Sequence, residues 1–415
     1  MTEQALVAAI AAVWDRLLEL IKDKQGAFEN ELLIALRALE QDPLSKAKMK
    51  AVLAVIQAVP GGYDLLVAHL ASGARSLTMG ASPVTGAVAM TRCVRVPVYY
   101  ATDRAREGNS YTADRGPLEF GRADVSVPDA REMGDLPKPP RWCLGFRPPD
   151  PEKHVILLDL TRLSLEDWKA GAHAAEALVF VHGFNVTFED GALRAAQFAV
   201  DLNFHGTAML YSWPSEGRKR RYLADEGNTI WTVDDFEVFL NTVLAESGFS
   251  RVHIVAHSMG SRVVTEGLRR LDPATLPPGS AELVEAVFAA PDVDAETFRK
   301  FAARFHRRAH RMTLYASTRD VALGVSGRFH RYPRAGDMRD DIVVAEGLDS
   351  IDASAVDTSF MGHSYFGDNR SIISDLIKLI SGVKAGGTDR QVLKECVGRG
   401  GAKYWACRSG SEERL

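Results

Sequence analysis

The chain has little cysteine and spaces it widely. Only four thiols occur in 415 residues, Cys93, Cys143, Cys396 and Cys407, with no CxxC pair among them. That argues against a zinc site and against a dense disulfide framework, so reduced thiols are expected. An excess of one charge is missing too: Lys and Arg total 50 against 54 Asp and Glu. No overall field therefore marks nucleic acid or an anionic membrane surface as a partner. No apolar run reaches the roughly 18 uninterrupted residues of an integral membrane segment. The opening ALVAAIAAVW is preceded by Glu3 and by no Lys or Arg, and Asp15 and Arg16 end it before any small-residue cleavage site. It does not read as a secretory signal, and the expected location is cytoplasmic. With 46% hydrophobic and 25% charged residues, what is left is a folded globular chain. Its length suits two or three domains, or one enlarged domain with an appendage.

Two kinds of pattern divide the chain. Over residues 1–80, Leu6, Ile10, Val13, Trp14, Leu17, Leu18 and Ile21 recur at steps of three and four, and the spacing returns in ELLIALRALEQ and AKMKAVLAVIQAV. Pro43, Pro60, Gly61 and Gly62 separate the segments, which predicts a helical N-terminal module. From VRVPVYYATDR onward, short runs rich in Val, Ile and aromatics take over: VPVYYAT, HVILLDL, ALVFVHG, TAMLYSW, VHIVAHS, LVEAVFAA and MTLYAST. Helix-like stretches alternate with them after Phe188, around Phe239 and after Gly260. That alternation predicts an α/β domain over 90–382, a mostly parallel sheet with helices on both faces, followed by a tail over 383–415.

In such sheets, sites form where strand C-termini meet the following loops. His182 to Asn185, Ser212, Trp213, Ser258, Asp292 and Asp320 all fall at those ends. Within RVHIVAHSMGSRVV, an apolar strand breaks into a small-residue turn and resumes with helical spacing. A strand-turn-helix elbow of this kind strains the residue at its tip and projects a serine hydroxyl over the sheet edge. Gly260 supplies the small neighbour on one side, and Ala256 stands where glycine is commoner on the other. A serine needs a base and a group that orients the base, and in an elbow sheet these follow it in the chain. His306, His310 and His330 sit among arginines, which suits a solvated charged face. His363, in DTSFMGHSYFGDN before the helical stretch SIISDLIKLISGV, is the candidate base. Asp320, after MTLYAST, is the preferred acid; Asp292, after LVEAVFAAP, is the alternative. The oxyanion donors expected are the backbone amides of Phe184 and Met259. His182 precedes the serine and is expected to hold the loop beneath the oxyanion hole.

VFVHGFNVTFEDGALRAAQFAVDL, AMLYSWPSEG, VHIVAHSMGSRVV, AAPDVD, TLYASTRD and GHSYF together resemble a bacterial α/β-hydrolase family catalogued as a domain of unknown function (DUF900), over roughly residues 90–382. The resemblance implies an α/β-hydrolase fold and a triad of Ser258, Asp320 and His363, and says little about substrate. It leaves out the first 80 residues and the tail after Lys384.

The chemistry expected is serine ester hydrolysis of a small-molecule ester through an acyl-enzyme, with no metal or organic cofactor. Trp213, Tyr222, Phe360 and Tyr365, with Phe184, Met361 and Phe366, are expected to line a pocket for a modest acyl chain or aryl ester. Tyr222 and Asp225 could instead tie down the loop that carries the basic run Arg218 to Arg221. A thioesterase, amidase or acyltransferase would share the triad. A non-catalytic hydrolase-fold protein recruiting partners through its helical N-terminus would show a broken one. The stripe from Leu6 to Ile21 is expected to cover either the hydrolase surface or the same stripe of a second subunit in a homo-oligomer.

Overall fold

The computed structural model describes residues 93–139, 149–172, 174–216, 222–305, 309–320, 323, 326, 327, 330–355, 370–383, 390, 392–398 and 401–408. The helical module expected over 1–80 lies outside the described residues, as do Phe360, Met361, His363, Tyr365 and Phe366.

Eleven strands form one sheet. In chain order they are β1 (Cys93–Glu107), β2 (Ser110–Pro128), β3 (Ile156–Leu163), β4 (Glu176–Val181), β5 (Thr207–Ser212), β6 (Arg251–His257), β7 (Glu282–Ala289), β8 (Arg311–Ala316), β9 (Leu348–Asp352), β10 (Leu393–Val397) and β11 (Lys403–Cys407). The helices are α1 (Leu165–Gly171), α2 (Phe188–Asp201), α3 (Tyr222–Trp231), α4 (Val233–Asn241), α5 (Gly260–Arg270), α6 (Ala295–Phe305) and α7 (Arg370–Ile380). All seven expected strand segments fall on strands, and α2, α4, α5 and α7 stand where helical spacing placed helices.

Across the sheet the order is β10-β11-β9-β8-β7-β6-β4-β5-β1-β2-β3. Every pairing from β11 to β1 is parallel, and antiparallel pairing occurs only at the two ends. The central strands read as unbroken apolar runs because both faces are covered. On one face, Phe188, Ala192 and Phe198 of α2 and Ile372 and Leu376 of α7 pack on Leu178, Leu210 and Val255. On the other, Trp168 of α1, Phe236 and Phe239 of α4, Val263 and Leu268 of α5, and Phe298 and Phe301 of α6 pack on Val179, Met209 and Ile254. Helix starts are locally encoded: Thr187 caps α2 by accepting from the Asp190 amide, and Ser164 caps α1 through the Asp167 amide.

The strand order reverses at β4. From there the chain steps to β5 on one side, and later from β6 through β7, β8 and β9 on the other. The loops after β4 and β6 thus diverge to opposite faces, which opens a crevice at the switch point.

The sheet continues past residue 382. The hairpin β10–β11 adds to the edge of β9, with Trp405 opposite Ile351. Its anchor is a buried cluster: Arg390 Nε and Nη2 donate to the two Asp375 oxygens at 2.7 and 2.6 Å, and the Tyr315 hydroxyl donates to Asp375 Oδ2 at 2.6 Å. Both partners of the ion pair are wholly buried. The ladder sets Cys396 opposite Tyr404 and Cys407 opposite Leu393. The two thiols, both free, are therefore offset by about 10 Å along the hairpin, beyond disulfide reach. Among the described residues no helix is long and apolar enough to cross a membrane.

Removing one partner of a buried ion pair strands the other charge. Arg390→Met is expected to lower unfolding free energy by about 3 to 5 kcal/mol. The double variant Arg390→Met/Asp375→Leu should lose clearly less. Urea unfolding of the two variants against the parent checks this, and equal losses would contradict it.

Candidate active site

The apolar strand β6 ends at His257, and α5 begins at Gly260. Ser258, between them, has φ +52°, the left-handed region that a residue with a Cβ rarely adopts. It is held there. Its amide donates to the Ala289 carbonyl at 2.9 Å, and its own carbonyl accepts from Ser261 N at 3.0 Å and Asp292 N at 3.2 Å. The elbow is thereby tied to the end of β7 and to the first turn of α5.

Two glycines let the neighbouring chain come close. A Cβ on Gly260 would lie 2.4 Å from the His182 carbonyl oxygen and 2.6 Å from that of Val181. A Cβ on Gly183 would lie 2.8 Å from the Ser258 Cβ and 2.9 Å from His257 Nδ1. The end of β4 is thus in direct contact with the elbow, and no side chain fits between them. Ala256 is buried in the core beside it, so its methyl is accommodated.

The loop after β4 carries Phe184, and Met259 follows the serine as the residue preceding α5. Among the described residues, no carbonyl outside the regular elements accepts from either amide. Asn185, next in the loop, also has positive φ, +61°. Asp225 of α3 braces this loop from beneath: its carboxylate accepts from the Asn185 amide, from Ser215 Oγ at 2.6 Å and from the Glu216 amide at 2.9 Å. Asp225 therefore ties down the segment after β5.

His182 is buried under the loop, with Nδ1 2.9 Å from the Gly183 carbonyl and Nε2 3.1 Å from Ser212 Oγ. Burial first, and the nearby Arg104 second, push its pKa down to about 3. It is neutral and structural. Trp213, expected to line the substrate pocket, is corrected here. It has no exposed surface, its ring stacks on His182 at 5.2 Å, and its indole donates to the His182 carbonyl at 2.7 Å. As the residue directly after β5 it supports the loop from below. Tyr222 is half-buried, edge-on to Phe184 at 5.5 Å, with its hydroxyl donating to Asp292 Oδ2 at 2.6 Å.

The two candidate acids have different surroundings. Asp292 is buried and heavily engaged: besides Tyr222 it accepts from Ser326 Oγ at 2.7 Å and lies 3.2 Å from Arg334 Nε and 3.4 Å from Arg262 Nη2. Burial alone would raise its pKa, but Arg262, Arg334 and the hydrogen bonds from Tyr222 and Ser326 together hold it below the usual carboxylate range. His330, expected on a solvated face, stands half-buried beside this cluster, with Nε2 3.4 Å from the Tyr222 hydroxyl. Asp320 is buried after β8, and its Oδ1 accepts from the Leu323 amide at 2.9 Å. Among the described residues no cluster of three or more His, Cys, Asp and Glu side chains is placed to hold a metal ion.

Sequence reading missed Arg104. It comes from β1, in the run YATDR, and is wholly buried beneath the loops after β4 and β5, with Nε donating to Ser212 Oγ at 2.9 Å. The only signal was a charged pair directly after a buried aromatic run, and the sequence does not reveal that the strand stays buried through it.

A parallel sheet with a serine elbow at its switch point defines the α/β-hydrolase class. A family model described as an α/β hydrolase of unknown function (DUF900) matches residues 165–381. The chain belongs to that family. No curated protein matches it.

Two outcomes follow. Because Ala keeps the Cβ that opposes positive φ, Ser258→Gly is expected to be more stable than Ser258→Ala by about 1 kcal/mol; denaturant midpoints decide, and equal stability would remove the strain. Asp292, with its folded pKa depressed, contributes stability that is present above its unfolded value near 3.9 and lost as pH falls through the folded value. Asp292→Asn should therefore be destabilised at pH 7, and the gap to the parent should close below about pH 4.

Proposed function

We propose that the protein is a serine hydrolase of carboxylic esters with modest acyl or aryl groups. The observation that carries this reading is Ser258 at φ +52° on a strand-turn-helix tip, packed directly against the glycine loop after β4. A strained tip residue is retained only where the surroundings force it, and strain of this kind clusters at active sites.

In this mechanism Ser258 Oγ attacks the acyl carbon while His363 takes its proton. Asp320 orients the imidazole and stabilises the imidazolium. The amides of Phe184 and Met259 hold the oxyanion, at a helix N-terminus whose dipole favours negative charge. The C–O bond to the alcohol then breaks, and His363 returns the proton to the leaving alkoxide. Water, deprotonated by the same histidine, attacks the acyl-enzyme; the acid leaves and Ser258 is protonated again. Asp320 is preferred over Asp292 as the acid because the Asp292 carboxylate is already shared by a tyrosine, a serine and two arginines. Phe360 and Tyr365, beside His363 in sequence, are assigned to the acyl pocket. Residues 1–80 are proposed as a separate helical module.

With an aryl ester, Asp320→Asn is expected to lower kcat by about 10⁴-fold with KM little changed. The kcat/KM profile should rise through one ionisation near neutrality that disappears in His363→Ala. Folded Asp292→Asn should keep most of its turnover. If Asp292→Asn loses turnover and Asp320→Asn does not, the acid is Asp292.

A further inference from the structure

Arg104 lies outside the segment matched by the family model, and burying an arginine needs a reason. A packed aliphatic chain would fill the space without the desolvation cost of a guanidinium. Its hydrogen-bond partners are carbonyls, a hydroxyl and an imidazole, while the charges of Asp103, Asp225 and Asp190 act on it through space. Burial lowers its pKa to about 10, so it stays charged at neutral pH.

A guanidinium has five N–H groups and no acceptor. Nε donates to Ser212 Oγ at 2.9 Å; Nη1 donates to the carbonyls of Ser215 at 2.9 Å and Thr112 at 3.2 Å; Nη2 donates to the Val186 carbonyl at 2.8 Å and faces His182 Nε2 at 3.3 Å. All five are used. Because arginine cannot accept, His182 Nε2 must be the acceptor, which puts the ring proton on Nδ1, where it donates to the Gly183 carbonyl. The other ionisable groups that act on His182 are Asp190 in the first turn of α2 and His257 at the end of β6. One planar group thus joins the loop after β4, at His182 and Val186, to the end of β5 at Ser212 and the segment after it at Ser215. Phe184 lies between the two pinned points of the first loop.

We propose that Arg104 is a positioning residue for ester hydrolysis: its five-donor fork locks His182 as the Nδ1-protonated tautomer, clamps the Val186 carbonyl, and so fixes the direction of the Phe184 amide in the oxyanion hole. The inference rests on reading Ser258 as the nucleophile. A lysine cannot substitute, because its donors radiate from one point and cannot span both loops.

The test uses the full chain with ¹⁵N-labelled histidine and measures the His182 tautomer alongside aryl-ester kinetics. In the parent, His182 should remain the Nδ1-protonated neutral form between pH 5 and 8. In Arg104→Met, an Nε2-protonated population should appear, with kcat lower by about 10²-fold, as when one oxyanion donor is lost, and KM changed less than about threefold. Arg104→Lys should lose at least about tenfold in kcat, and it reads the same two quantities if the Met variant does not fold. Folded variants with an unchanged tautomer and kcat within twofold of the parent would overturn the proposal. A parent that hydrolyses no ester, with the tautomer still shifting on substitution, would instead sink the nucleophile reading and leave the clamp standing.

Discussion

The contact on which the site depends is backbone against backbone: the end of β4 touching the elbow between β6 and α5. Gly260 meets the His182 and Val181 carbonyls, and Gly183 meets the Ser258 Cβ, at separations that no added side chain tolerates. This approach is possible because β4 and β6 are parallel neighbours in register, with Val181 opposite Ala256, and because their following loops part to opposite faces. The tip residue is then over-determined. Its amide is fixed by Ala289 and its carbonyl by Ser261 and Asp292, and the left-handed conformation follows.

Three of the buried polar groups brace separate parts of the sheet. Arg104 and His182 lie beneath the loop after β4. Asp292, with Arg262, Arg334 and Tyr222, fills the side next to α5. Asp375 and Arg390 tie the C-terminal hairpin to β8 and α7. The carboxylates of Asp292 and Asp375 each accept from several donors, and Arg104 uses all five of its N–H groups, which lowers the cost of keeping these ions out of water. Two of these four arginines, Arg104 and Arg390, lie outside residues 165–381, so the matched segment is braced from both sides by chain beyond it.

The central sheet was legible because strands buried on both faces are written as continuous apolar runs; ALVFV and VHIVA leave no other reading. The elbow was legible for the same reason, since an apolar strand, a small-residue turn and an amphipathic helix adjoin within fourteen residues of sequence, Arg251 to Val264. β2 was missed because SYTADRGPLEFGRADVSVP carries two prolines, two glycines and exposed charges, as a strand outside the parallel core is free to do. β9, β10 and β11 are five residues each and partly polar, too short for a period to register. Trp213 was misread because an aromatic residue after a strand looks the same whether it lines a pocket or lies under a loop. The role of Arg104 depends on contacts more than 70 residues away in sequence, to His182 and Ser212, and local pattern carries no trace of them.

Incubating the purified full chain with a fluorophosphonate and mapping the adduct by peptide mass spectrometry tests the central claim that Ser258 is an activated nucleophile. The account predicts a single stoichiometric adduct on Ser258 that forms near neutral pH and is absent from Ser258→Ala. An unlabelled chain at every pH between about 6 and 9, where a histidine base is active, would contradict it, as would an adduct on any other residue.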